Sequence, residues 1–292
     1  MHQENIGEKL FNYFNIGLMT LFSFVTLYPI LYVAFASVSE PNELMGHLGP
    51  LWKPLGLHFG SYLLVFKNPN IITGYLNTIF LVTVGVIVNV LMTMIGAYFL
   101  SRKNVMWRDL IMFLIVFSMF FSGGLIPFYL IVKGLHINNT LWALILPVAV
   151  NTFNLIIMRT QFASIPESME ESAVIDGAGH FTILFRIIVP LSLPTVAVIV
   201  LYYAVSHWNA WFNAMIFIQK RELYPLQLIL REILIQNDTN TMIQNINTEE
   251  QQMVSETVKY AVIIVATLPI LVLYPFLQKY FTKGVMVGAI KE

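Results

Sequence analysis

The sequence predicts an all-α polytopic membrane protein with six transmembrane helices. Three observations carry that reading. The chain of 292 residues is 57% hydrophobic and only 11% charged, where a soluble domain carries about a quarter charged residues. Its mean hydropathy is +0.72, so it has too little polar surface to cover itself in water. Apolar runs of roughly 20 residues, the length that crosses about 30 Å of hydrocarbon, recur along it. No alternating strand pattern appears, and backbone groups in lipid must be paired within their own segment, so the runs are helices.

The spans are expected over about 12–36, 74–100, 110–132, 141–158, 193–218 and 257–278. The first is preceded by Glu4, Glu8 and Lys9 and is too long for a secretory signal; Ala34-Phe35-Ala36 mimics a cleavage site by chance in an alanine-tolerant helix. Residues 38–73, with Pro41, Pro50 and Pro54, form an outer loop with a short surface helix near Tyr62 to Phe66. The second span carries Asn77 and Asn89 and leads into the short loop 101–109 with Arg102, Lys103 and Arg108. The third contains Ser122-Gly123-Gly124 and Pro127, which bend or interrupt it. Loop 133–140 follows, with Lys133 its one basic residue. The fourth span is short and holds Pro147, Asn151 and Asn154. After the polar stretch 159–192 comes the fifth, then a second outer excursion, 219–256, rich in Asn and Gln, then the sixth. Basic residues in short loops mark the cytoplasmic side. They place 101–109, 159–192 and both termini inside, and 38–73, 133–140 and 219–256 outside.

Several function classes are excluded or disfavoured. The net charge is +0, which gives no case for nucleic acid. There is no cysteine, hence no disulfide, thiolate metal site or thiol nucleophile. No G-x-x-x-x-G-K-[ST] phosphate loop is present, so ATP, if used, is bound on another chain. No acidic residue falls inside any expected span, which argues against an ion-coupled secondary transporter. His207 has no carboxylate nearby in sequence; it reads as a packing or hydrogen-bonding residue rather than as the base of an intramembrane hydrolase.

The most informative stretch runs from Pro166 to Pro194. Ser164, Pro166 and Glu167 read as a helix start with a capping box. Residues 167–176 continue the helix, with Glu167, Glu170 and Glu171 near its positive end. Met169, Ala173 and Asp176 share a face with Ser172 alongside. Gly177, Ala178 and Gly179 allow a tight reversal. Phe181, Leu184, Phe185 and Ile188 make the next helix amphipathic. The order is Glu171-Ser172-Ala173, three residues, Gly177, nine residues, Ile187, one residue, Val189-Pro190.

That spacing resembles the cytoplasmic coupling loop of ABC-transporter permeases. Further pieces are similar to the binding-protein-dependent carbohydrate importers of the maltose-transporter type, in particular the subgroup for oligosaccharides and polysaccharide fragments. They are Ser122 to Pro127, Asn139-Thr140-Leu141-Trp142-Ala143, Trp208-Asn209-Ala210-Trp211-Phe212, Tyr224-Pro225-Leu226-Gln227 and Gly284 to Ala289. The resemblance implies a type I ABC importer permease fold with a cytoplasmic coupling helix, in a bacterial plasma membrane. It implies as partners a second homologous permease, two cytoplasmic ATPase subunits that hold ATP and Mg, an extracellular solute-binding protein and membrane lipid. This chain then has no cofactor and performs no bond chemistry. Glu170, Glu171, Ser172, Ala173, Asp176, Gly177 and Ala178 become the ATPase-coupling residues, with Ser172 and Val189 in place of the family's usual alanine and leucine. Part of 219–256 would reach the binding protein, and Lys283 to Glu292 would be a secondary ATPase contact.

In the fifth span Tyr202, Ser206, Asn209 and Asn213 fall at intervals of four, three and four, one polar stripe beside Trp208, Trp211 and Phe212. Amides next to aromatic rings suit sugar hydroxyls and C–H faces. Tyr202, Ser206, Asn209, Trp211 and Asn213 are therefore the candidate substrate pathway, with interhelical contact as the alternative. Asn77, Asn89, Asn151 and Asn154 are read as helix–helix contacts. A permease for peptides or amino acids is the competing reading of the whole chain.

Overall fold

The structure is a computed structural model describing residues 6–235 and 256–272, and every regular element among them is helical. Lys283 to Glu292, Gly284 to Ala289, most of the Asn/Gln-rich stretch and the end of the sixth expected span lie outside the described residues. The chain divides into two compact units, one of residues 1–68 with 232–268, the other of 69–231 with 269–292.

In the first unit, α1 (Ile6–Ser37) is an apolar helix of 32 residues. Its side chains are exposed almost to its end, as fits a helix whose solvent is lipid. α2 (Pro41–Gly46) opens on a proline, which suits a first helical position, and α3 (Gly60–Lys67) follows. The expected short helix near Tyr62 to Phe66 lies within α3, and about half of the stretch 38–73 is helical. Ala36, Leu44 and Leu51 form a small core joined by Tyr260, and Ser61 Oγ donates to Thr257 Oγ1 at 2.9 Å.

In the second unit, α4 (Pro69–Ser101) is one helix of 33 residues, with a π-turn at Leu81–Gly85. α5 (Arg108–Phe120) and α6 (Leu125–Gly134) meet at 119°. Gly124, at φ +86°, makes that corner, a left-handed conformation that side chains resist. α7 (Thr152–Ala163), α8 (Glu167–Ile175), α9 (His180–Leu191), α10 (Leu193–Trp208) and α11 (Phe212–Phe217) follow, and α12 (Leu226–Ile235) starts in this unit and ends in the first. By length and composition α1 and α4 can each cross a membrane alone. Three bent pairs, α5–α6, the turns Leu141–Val148 with α7, and α9–α10, bring the total to at most five among the described residues, with each pair counted as one span.

Two expected boundaries are corrected. The stretch 141–158 is not one helix: Pro147 removes a donor, and two 3₁₀ turns precede α7, which starts at Thr152 and runs five residues into the polar stretch 159–192. The stretch 193–218 stops at Trp208. There the Asn209 side chain donates to Val205 O at 2.9 Å, a local bond that competes with the helical ladder. The excursion 219–256 contains a 3₁₀ turn, Arg221–Leu223, and α12.

The main core lies where α4, α7, α9 and α10 meet, around Met94, Leu155, Met158, Phe162, Ile183 and Ile199. A second core holds Leu81, Val132, Ile145, Phe217 and Ile218. Asn139 sits beside it at φ +59°. Its N–H donates to Phe217 O at 2.7 Å, and its Oδ1 accepts from Gln219 N and Lys220 N, each at 3.0 Å. Asn139→Leu leaves both donors unpaired and strains the backbone. We expect a loss of about 0.5–1.5 kcal/mol, read as a lower unfolding midpoint in detergent. Asn139→Asp keeps the acceptor and should stay near wild type.

Candidate functional site

α8 follows Pro166, whose backbone is extended and gives no side-chain cap. Ser164, expected to cap α8, instead closes α7, where its Oγ donates to Gln161 O at 2.8 Å. The reason is that α7 continues to Ala163, so Ser164 is still at a helix end. Glu167 and Glu170 occupy the first turn of α8, where the helix dipole favours them.

The far end of α8 is a Schellman turn. Gly177 stands at φ +80°, Gly177 N donates to Val174 O at 3.0 Å, and Ala178 N donates to Ala173 O at 2.9 Å. Ala173 and Ala178 are half-buried against the main core, the apolar contact that accompanies this motif. Glu171, Ser172, Asp176 and Gly177 are exposed. Ser172 Oγ donates back to Ser168 O at 2.8 Å. The carboxylates of Glu171 and Asp176 have no partner among the described residues.

Glu170, grouped with the partner-facing residues on sequence grounds, is used inside the chain. Its carboxylate pairs with the Arg102 guanidinium, both side chains being 15% exposed, and accepts from Tyr98 Oη at 2.7 Å. Arg102 also donates to Phe162 O at 2.9 Å and lies 5.0 Å from the centre of the Tyr98 ring. Lys103 pairs with Glu167 at 3.0 Å in solvent. One network thus ties the end of α4 and the end of α7 to α8. Sequence reasoning used Arg102 only as a marker of sidedness. An open groove of about 1,020 Å³ runs beside the network, past Phe99, Glu171, Val174, Ile175 and Phe181.

The inward face of α9 is also corrected. Ile183, Leu184 and Ile188 are buried, while Phe181 and Phe185 are exposed. A π-turn at Leu184–Ile188 shifts the phase that a regular helix would keep.

A cavity of about 380 Å³ is lined by Asn89, Val148, Asn151, Phe153, Asn154, Tyr202, Tyr203 and Ser206. Of the five candidate pathway residues, Tyr202 and Ser206 line it. Asn209, Trp211 and Asn213 do not, because α10 ends at Trp208 and the stripe breaks there. Trp211 instead stacks under the Arg231 guanidinium at 4.6 Å, and Asn213 is half-buried on α11. Asn77 does bridge segments, donating to Glu222 O at 2.8 Å and Tyr224 O at 3.0 Å. Asn89 Nδ2 bonds Val148 O and His207 Nε2, each at 3.2 Å, which gives His207 a hydrogen-bonding role. Asn151 caps α7, its Oδ1 accepting from Asn154 N at 3.1 Å. Asn154, also read as a helix contact, is buried but makes no side-chain hydrogen bond among the described residues. It faces the cavity, and its burial among α7 neighbours could not be read from one segment alone.

Residues 1–287 match the family model for the binding-protein-dependent transport system inner membrane component. The chain is 39% identical over 289 residues to the polygalacturonan/rhamnogalacturonan transport system permease protein YtcP of Bacillus subtilis (strain 168), covering 97% of this chain and 99% of the relative. It is 26% identical over 293 residues to the maltodextrin transport system permease protein MalD of Streptococcus pneumoniae, covering 99% and 97%. It superposes with a TM-score of 0.87 on a chain of the crystal structure of a bacterial ABC transporter involved in the import of the acidic polysaccharide alginate. Identity there is 32%, over 96% of this chain and 100% of that one.

Proposed function

This chain belongs to the family of inner-membrane components of binding-protein-dependent transport systems, and on that premise we propose that it is a permease subunit of an ATP-driven ABC importer for a carbohydrate. The observation that carries the proposal is the near full-length match to permeases named for polysaccharide and maltodextrin transport.

In this reading the apolar helices of this chain pair with those of a second permease, both termini being cytoplasmic. α8 is the coupling helix. Glu171, Ser172, Asp176 and Gly177 face a cleft of the ATPase, while Ala173 and Ala178 seat the helix on the core. ATP and Mg reside on the two ATPases. Their closure displaces α8, and the Arg102–Glu170 pair carries the displacement into α4. The cavity then shifts from inward-open to outward-open, a population shift driven by differential binding. An extracellular binding protein delivers the sugar.

The test is ATPase activity of the reconstituted complex, with and without loaded binding protein. Glu171→Ala and Gly177→Asp should each abolish most of the stimulation, or the co-purification of the ATPases, with the spans still folded. Gly177→Asp acts by straining the left-handed turn. Full stimulation and assembly in both variants would remove α8 from the coupling role.

A further inference from the structure

The segment between α2 and α3 folds back along α1. Leu51 N donates to Tyr28 Oη at 2.9 Å, and the Trp52 ring lies 5.0 Å from the Tyr28 ring. Tyr28 stands nine residues before Ser37, the end of α1, which is about 13 Å along the axis. Its level in a bilayer follows from the other end of the helix. The charges of α1 are Glu8 and Lys9, near its start, and charges keep out of hydrocarbon. From Lys9 to Tyr28 is 19 residues, about 28 Å, against about 30 Å for the hydrocarbon layer. Tyr28 therefore stands at the opposite boundary, and the last turns of α1 rise beyond it. Tyr32 lies 6.3 Å from Tyr28 and 6.0 Å from Tyr260, ring to ring. Tyr and Trp concentrate at this level in membrane proteins.

The loop is tied down behind its tip. Glu40 N donates to Leu55 O at 2.7 Å, His58 N donates to Val38 O at 2.8 Å, and Leu55 N donates to Ser39 Oγ at 3.0 Å. Leu51 is buried with Ala36 and Leu44. Outward the loop presents Leu48, 96% exposed, and Trp52, 70% exposed. Beside Trp52 stands Lys53, exposed and without a partner among the described residues. An apolar tip, an aromatic ring and a cation on a flexible stem match the layer where acyl chains meet phosphates. The α1 surface against which the loop rests is itself exposed and apolar, so the tip continues a face already turned to lipid.

We infer that residues 47–53 form an interfacial anchor in the leaflet at the C-terminal end of α1, which is the outer leaflet on the sidedness proposed above. Leu48 and Trp52 sit at the acyl boundary and Lys53 meets lipid phosphates. The anchor fixes the height of α1 and of the helices α2 and α3 above it.

The test uses the whole transporter in phosphatidylcholine nanodiscs. This chain has no cysteine, so single thiols can be placed on it once reactive thiols of the partner chains are replaced. A bimane label is attached at Leu48→Cys and, as the water-facing control, at Asn42→Cys, exposed on α2. Phosphatidylcholine carrying a nitroxide at acyl carbon 5 should quench the Leu48→Cys label at least two-fold more than the control. Iodide in the buffer should show the reverse order. Adding Trp52→Ser with Lys53→Glu should at least halve the lipid quenching at position 48 while the complex stays assembled. Quenching of both labels by iodide and of neither by lipid overturns the anchor. Protection of position 48 from both quenchers means that a protein covers it, which also overturns the anchor. Loss of lipid quenching on addition of loaded binding protein makes the loop a protein-docking surface and overturns it too. Failure of the anchor leaves the carbohydrate reading untouched.

Discussion

Arg102→Ala is expected to lower stability by about 3–5 kcal/mol, the range for breaking one side of a buried ion pair, and to uncouple ATP hydrolysis from sugar uptake. The guanidinium meets four groups at once. It pairs with Glu170, donates to Phe162 O and to Ser101 Oγ, and lies over the Tyr98 ring. Removing it strands a carboxylate that is 15% exposed and leaves the Phe162 carbonyl with only its weaker backbone donors. Arg102→Lys keeps the charge but not the planar fork, so it should recover part of the stability. Arg102→Met combined with Glu170→Met removes both charges together and should recover more. The double variant should still waste ATP, because the link from α8 to α4 is gone. The measurements are the unfolding midpoint and the ratio of ATP hydrolysed to sugar moved. Wild-type values for Arg102→Ala would make the network incidental.

Phe162→Ala should be the most damaging apolar truncation. The ring is 0% exposed in the main core. Soluble cores lose about 3–5 kcal/mol on Phe→Ala. Phe162 lies beyond the expected span 141–158, in the polar stretch, so the transfer term and the cavity with its lost dispersion contacts both count, and a loss in that range is expected. Phe162→Leu should cost under about 1.5 kcal/mol. The same residue supplies the carbonyl that seats Arg102, so Phe162→Ala and Arg102→Ala should be non-additive in unfolding measurements. Additive losses would show that the ring and the ion pair act separately.

The long apolar runs of α1 and α4 were legible because lipid demands unbroken helix there, and nothing in them competes with it. The corner at Gly124 was legible from two adjacent glycines and a nearby proline. The break at Asn209 was not. Asparagine continues many helices, and the polar spacing from Tyr202 to Asn213 runs straight through it. Whether its amide bonds Val205 O or a neighbour depends on what packs there. The same limit hid the role of Glu170. It is adjacent to Glu171, and successive residues on a helix point about 100° apart. Which one turns inward is decided by Arg102, 68 residues away. The cavity was half legible. Tyr202 and Ser206 lie on one helix and share a face, whereas Asn89 and Asn154 join them from two other helices.

The internal ion pairs also set how α8 looks from a distance. Glu167 and Glu170 are already neutralised by Lys103 and Arg102, which leaves Glu171 and Asp176 as the free anions of that helix and its turn. On the proposed coupling role, an approaching ATPase meets a surface with only those two free charges beside exposed Val174 and Ile175. Attraction between a few exposed charges fades within about 8 Å at physiological ionic strength. Docking on this face is then governed by shape and apolar contact rather than by steering. The assembled transporter should tolerate high salt, and it should form slowly.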